Sequence, residues 1–107
     1  MTGEILKGHL ELLLLAALSA QPVHGYGIVE ILRRRSGGTF ELPEGTLYPA
    51  LHRMEKSGLV VSRWTDDTGR RRRVYELTAE GQRSLKRREA DWQQFAHAVN
   101  GIVEGIA

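Results

Sequence analysis

Four consecutive arginines, Arg70–Arg73, form the longest run of like charge in the chain. Guanidinium groups in that number suit a polyanion. Each phosphate they neutralise releases condensed counterions, so binding depends steeply on salt. A second set of donors lies upstream, where Thr46, His52 and Arg53 can reach base edges or phosphates. Arg53 can fork onto guanine O6 and N7, because its planar guanidinium presents parallel donors. Lys56, a point charge further along, suits phosphate. From Arg53 to Arg73 seven basic residues stand against three acids, although the whole chain carries a net charge of only +2. The competing structural account is that the arginines keep an exposed strand edge from pairing. Four in a row exceed that need.

Other chemistries find little support. Cysteine is absent, which excludes disulfides, thiolate metal sites and cysteine nucleophiles. His9, His24 and His97 are far apart with no paired carboxylate at ligand spacing, so no metal site is expected. No Ser-His-Asp arrangement, glycine-rich phosphate loop or nucleotide fingerprint stands out. Neither enzymatic activity nor a cofactor is expected. The most apolar stretch, Leu10–Leu18, is flanked by Glu4 and Glu11 and is about half the ~20 residues of a membrane span. It reads as a buried helix in a cytoplasmic protein with no membrane partner.

The donors need a scaffold, and periodicity supplies one. His9 to about Ala20 reads as helix one, apolar on every face and stopped by Gln21-Pro22. Helix two runs from about His24 to Ser36 and ends at Gly37-Gly38, with Arg33–Arg35 complementing the dipole of its last turn. After an extended link at Thr39–Pro43, helix three covers about Gly45 to Ser57 and is closed by Gly58. Leu47, Ala50, Leu51 and Met54 fall within one arc, and His52, Arg53 and Lys56 fall opposite, with Thr46 and Tyr48 on the flanks. Pro49 is tolerable only near the beginning of such a helix.

The period then changes from helix to strand. Leu59–Trp64 and Arg73–Thr78 flank the turn-forming Asp66–Gly69, which predicts a β-hairpin with the arginines at its tip. Only about half of those arginines can face one groove, because strand side chains alternate. Thr78 caps a final helix in which Leu85, Trp92, Val99 and Ile106 repeat every seven residues, with Phe95 and Ile102 at the second position. Gly81 stands at N3, where a capping box would carry Glu or Gln. So small a domain cannot bury this stripe, so a second copy is its expected cover. Helix one, with Leu13, would contribute to that interface. The expected fold is mainly α with a two-stranded β-hairpin. It comprises a winged helix-turn-helix over residues 1–78 and a long C-terminal dimerisation helix over residues 79–107.

Several stretches carry a more specific signal: Leu6-Lys7-Gly8, His24-Gly25-Tyr26, the segment from Pro43 to Glu55, Gly58-Leu59, and Gly69 to Gly81. Together they closely resemble the PadR family of bacterial transcriptional regulators, in its compact branch, over about residues 5 to 100. That resemblance implies a homodimeric winged-helix repressor bound to double-stranded DNA and often released by a small molecule. It implies that Tyr48 and Pro49 lie at the DNA-facing start of helix three and Tyr26 near the backbone. Two-fold symmetry would match a pseudo-palindromic operator. Trp92 and Phe95 are read either as interface packing or as a pocket that stacks a flat aromatic effector. The alternative functions are a winged-helix module that binds protein, or a ligand-sensing dimer without strong operator specificity. The donor-rich outward face of helix three favours DNA over a protein partner.

Overall fold

The computed structural model describes residues 3–66 and 69–105. Two expected features fall partly outside them: Asp67 and Thr68 of the turn, and Ile106 of the heptad stripe. In chain order the elements are α1 (Gly3–Ala17), β1 (Val23–His24), α2 (Gly25–Arg35), α3 (Glu44–Lys56), β2 (Val60–Thr65), β3 (Arg72–Leu77) and α4 (Ala79–Val103). Each expected helix is present. Helix α1 starts earlier and ends earlier than its apolar run suggests, because Gly3–Gly8 continues the same turn and the chain leaves the helix after Ala17.

The sheet differs from the expected hairpin. It has three antiparallel strands in the order β1-β3-β2, the added member being the two-residue β1, which pairs Val23 with Tyr75 and His24 with Val74. Two residues carry no legible alternation, so β1 is invisible to periodicity. It places the start of α2 beside the wing.

The core is a leucine cluster shared by the first three helices and the sheet. Leu14, Leu15, Ile28, Leu47, Leu51 and Val60 are fully enclosed, and burying such side chains stabilises by about 1.5–3 kcal/mol each. The arc predicted for α3 holds: Leu47, Ala50, Leu51 and Met54 are all buried. The helix closes on Gly58, at φ 79°. The Leu59 N–H donates to the Met54 carbonyl at 2.9 Å and the Gly58 N–H to the Glu55 carbonyl at 3.1 Å. Glycine accepts that left-handed conformation without a Cβ penalty. Pro49 sits deeper than expected, because α3 begins at Glu44 and Pro49 falls in its second turn. Its missing N–H leaves the Gly45 carbonyl without a helical donor, and Gly45 is exposed to water.

Helix α4 is 25 residues long, about 37 Å at 1.5 Å per residue. Its first turns are docked and the rest projects. Thr78 Oγ1 accepts from the Gly81 N–H at 3.0 Å and caps the helix. The Glu80 carboxyl is held below its usual range by a hydrogen bond and charge from Arg83, with Arg87 adding to both. Gly81 and Ser84 are buried. Further along, Arg88 donates to Glu11 of α1 at 2.7 Å. The projection makes the molecule elongated, 59 × 28 × 21 Å, with a radius of gyration of 15.4 Å against about 13 Å for a compact chain of this length. No described helix is long and apolar enough to cross a membrane.

Candidate nucleic-acid interface

The outward side of α3 presents Thr46, Tyr48, Pro49, His52, Arg53 and Lys56, all exposed. They are exposed because the opposite arc is fixed in the core, so the helix cannot rotate without expelling Leu47 and Leu51. Among the described residues, neither Arg53 nor Lys56 forms a salt bridge.

The wing is built by β2 and β3, which pair Ser62 with Tyr75, Arg63 with Val74, Trp64 with Arg73 and Thr65 with Arg72. Arg72 and Arg73 lie within β3, whereas Arg70 and Arg71 belong to the turn. The expected tip therefore carries two of the four arginines, and the strand carries the others. Strand alternation then divides the set. Arg73 shares the face of Tyr75, Ser62 and Trp64, which packs toward α3. Arg72 lies on the other face, where its guanidinium comes within 3.5 Å of the His24 ring.

The site residues fall into two open clefts. Tyr26, Tyr48 and Arg70–Arg73 border one of about 660 Å³, together with His24, Gly25, Trp64 and Tyr75. Thr46, Pro49 and Arg53 border another of about 520 Å³, shared with Lys7 of α1. His52 and Lys56 line neither cleft and stand on the open surface of α3. Beneath the first cleft, burial pushes the Tyr75 phenol above its usual range, partly offset by the charge of Arg73. Tyr48 is seated directly on Gly25, where any Cβ would fall 2.8 Å from one ring carbon and 2.9 Å from another. Gly25 thus leaves the space that the ring occupies.

Three contributors escape a reading by composition. Glu55, on α3, lies 3.7 Å from Arg73 and accepts a hydrogen bond from Ser62 at 2.5 Å, while Arg73 donates to Ser62 at 2.9 Å. These contacts tie the wing to α3. Trp64 underlies two arginines, with Arg71 4.7 Å and Arg73 5.5 Å from its ring centroid. Lys7 joins Arg53 across a cleft between elements distant in sequence. Only Trp64 had a usable signal: counting back across the turn puts it opposite the arginine run.

At the far end, Trp92 meets His9 edge-on at 5.2 Å and Phe95 at 6.0 Å. They border a cleft of about 240 Å³ rimmed by Arg88 and Asp91. Trp92, Phe95, Val99 and Ile102 are exposed, Ile102 to 81%. Leu13 and Leu85 are half-buried against the protomer's own core, so the open part of the stripe begins at Trp92. No group of three or more potential metal-ligating side chains converges among the described residues.

Known proteins share this fold. Residues 14–87 match the transcriptional regulator PadR-like family. A transcriptional regulator of Mycobacterium tuberculosis is 38% identical over 79 residues, covering 74% of this chain and 71% of that protein. A transcriptional regulator from Clostridium thermocellum superposes with a TM-score of 0.85 at 28% identity, covering 94% of this chain and 99% of that one. A PadR family regulator from Clostridium difficile superposes with a TM-score of 0.79 at 32% identity, covering 90% and 99%. These relatives are transcriptional regulators rather than enzymes.

Proposed function

The chain belongs to the PadR-like family of transcriptional regulators, and on that premise we propose that it acts as a homodimeric repressor on a pseudo-palindromic operator. In this reading Thr46, Tyr48, Pro49, His52 and Arg53 enter the major groove on α3. Lys56, Tyr26 and the wing that carries Arg70–Arg73 meet phosphates, the register dividing its arginines between two faces. The observation that carries it is the shared cleft in which Tyr26 and Tyr48 face the arginine wing, since phenols and guanidinium groups together suit a phosphate backbone.

The second copy covers the exposed stripe of α4. Four large apolar side chains spaced along one projecting helix, from Trp92 to Ile102, exceed what a monomer leaves in water. Leu13, Leu85 and Ile106 extend that interface in our reading. Two symmetry-related Trp92 rings, each with its Phe95, would border a slot able to stack a flat aromatic effector. Such an effector would alter the spacing of the two readers and release the DNA. Residues 1–78 then form the DNA-binding unit and residues 79–107 the dimerisation helix.

Replacing Arg70–Arg73 with alanine tests the DNA reading. Affinity for every duplex should fall, and the dependence of log K on log salt should flatten by about 0.9 for each phosphate no longer neutralised. An unchanged salt slope would remove the wing from the interface.

A further inference from the structure

We propose that Trp64 is the positioning residue of the wing, a platform whose indole face holds the Arg71 guanidinium ready for the DNA backbone. The inference rests on the DNA-binding reading of the wing and adds a residue outside its set of charged donors.

Two observations converge. Trp64 is 52% exposed, unusual for a large apolar ring on a strand that lies at the edge of its sheet. Its exposed face is occupied by guanidinium groups: the Arg71 Cζ lies 4.7 Å and the Arg73 Cζ 5.5 Å from the ring centroid. Both are within the ~6 Å at which the ring quadrupole attracts a cation.

The two arginines are not equivalent. Arg73, the cross-strand partner of Trp64, is also held by Ser62 at 2.9 Å and by Glu55 at 3.7 Å. Its guanidinium therefore serves as a brace between β3, β2 and α3. Arg71 forms no salt bridge among the described residues. The indole is its anchor, and a π-face satisfies none of its N–H donors. Among the described residues no hydrogen bond engages those donors either, so they can turn to phosphate oxygens while the side chain is held in place. A free arginine in a turn must instead be immobilised when DNA binds, and that ordering weakens binding.

The division of labour follows from the register. Trp64 and Arg73 are directly opposite, and Arg71, in the turn two residues before Arg73, has a side chain long enough to reach back over the ring. Arg72, on the opposite face, lies against the His24 ring instead. Trp64 thus selects which wing arginine is presented on the side of α3.

The test measures affinity of the full chain for a mixed-sequence duplex of about 30 base pairs, about three helical turns, across a salt series. Thermal unfolding is recorded in parallel. Trp64→Leu, which keeps an apolar side chain and removes the π-face, should weaken binding about two- to five-fold per wing with little change in Tm. Trp64→Phe, which keeps a π-face, should recover most of the loss. In an Arg71→Ala background Trp64→Leu should cost little further, because the group it positions is gone. An equal loss in both backgrounds, or no rescue by phenylalanine, would show that Trp64 only supports the strand and would overturn the proposal. If Arg71→Ala reduces affinity and the salt slope but Trp64→Leu does not, the platform fails while the wing reading stands. If Arg71→Ala and the fourfold alanine variant leave the salt slope intact, both fall together.

Discussion

Gly81→Ala should destabilise the protein even though alanine is the better helix former. Gly81 is buried in the first turn of α4, and a Cβ there would run into the carbonyl oxygen of Leu59, 3.1 Å from the carbonyl carbon and 3.4 Å from Leu77. That carbonyl is held in place, because it accepts the Thr78 N–H at 3.1 Å, while the Thr78 hydroxyl donates to the adjacent Gly58 carbonyl at 2.5 Å. The helix must move instead, and the Thr78 cap on Gly81 moves with it. Overpacking costs about 1–3 kcal/mol and a weakened cap about 1 kcal/mol, against a propensity gain of about 1 kcal/mol. The net loss is about 1–3 kcal/mol, or roughly 5–20 °C in Tm for a domain of this size. Gly101→Ala is the internal control, since its Cβ meets nothing within 4 Å. That change should raise stability by up to about 1 kcal/mol. Thermal unfolding by circular dichroism, at one protein concentration because association shifts Tm, distinguishes the two. Gly81→Ala matching or exceeding the wild-type Tm would refute the argument that contact with Leu59 fixes α4.

Val99→Asp, which places a charge in the open stripe of α4, should convert a dimer to a monomer in sedimentation and abolish tight operator binding. An intact dimer would move the interface elsewhere. Gly25→Ala should push the Tyr48 ring off its seat and reduce DNA affinity several-fold, with no added loss once Tyr48→Ala is present; additive losses would contradict this. Tyr75, raised by burial, should ionise later than an ordinary phenol. Its contribution to stability is present below the unfolded value near pH 10 and is lost as pH rises through the folded value. Ultraviolet titration should show a late phenol that disappears in Tyr75→Phe. Trp92 fluorescence should be quenched by planar aromatic compounds that weaken DNA binding; no response across a broad panel would leave Trp92 as packing alone.

The sequence by itself determined the order of helices and wing, the buried arc of α3 and the stops at Gly37 and Gly58. These follow from local rules, namely a period of 3.6, a period of 2, and glycine where the chain must turn left-handed. It also determined which residues on α3 face outward, since fixing Leu47, Leu51 and Met54 inward leaves His52, Arg53 and Lys56 exposed. Tertiary structure alone decided three other matters. Strand β1 exists only because β3 offers it a partner, and two residues carry no pattern of their own. The wing arginines look alike in sequence and become different in space, because the hairpin sends Arg73 to Glu55 and Ser62, Arg71 to Trp64 and Arg72 to His24. Gly81, a defective capping position when judged by local propensity, is required by a carbonyl 22 residues earlier in the chain. In each case the deciding contact joins residues too far apart for any local pattern to record.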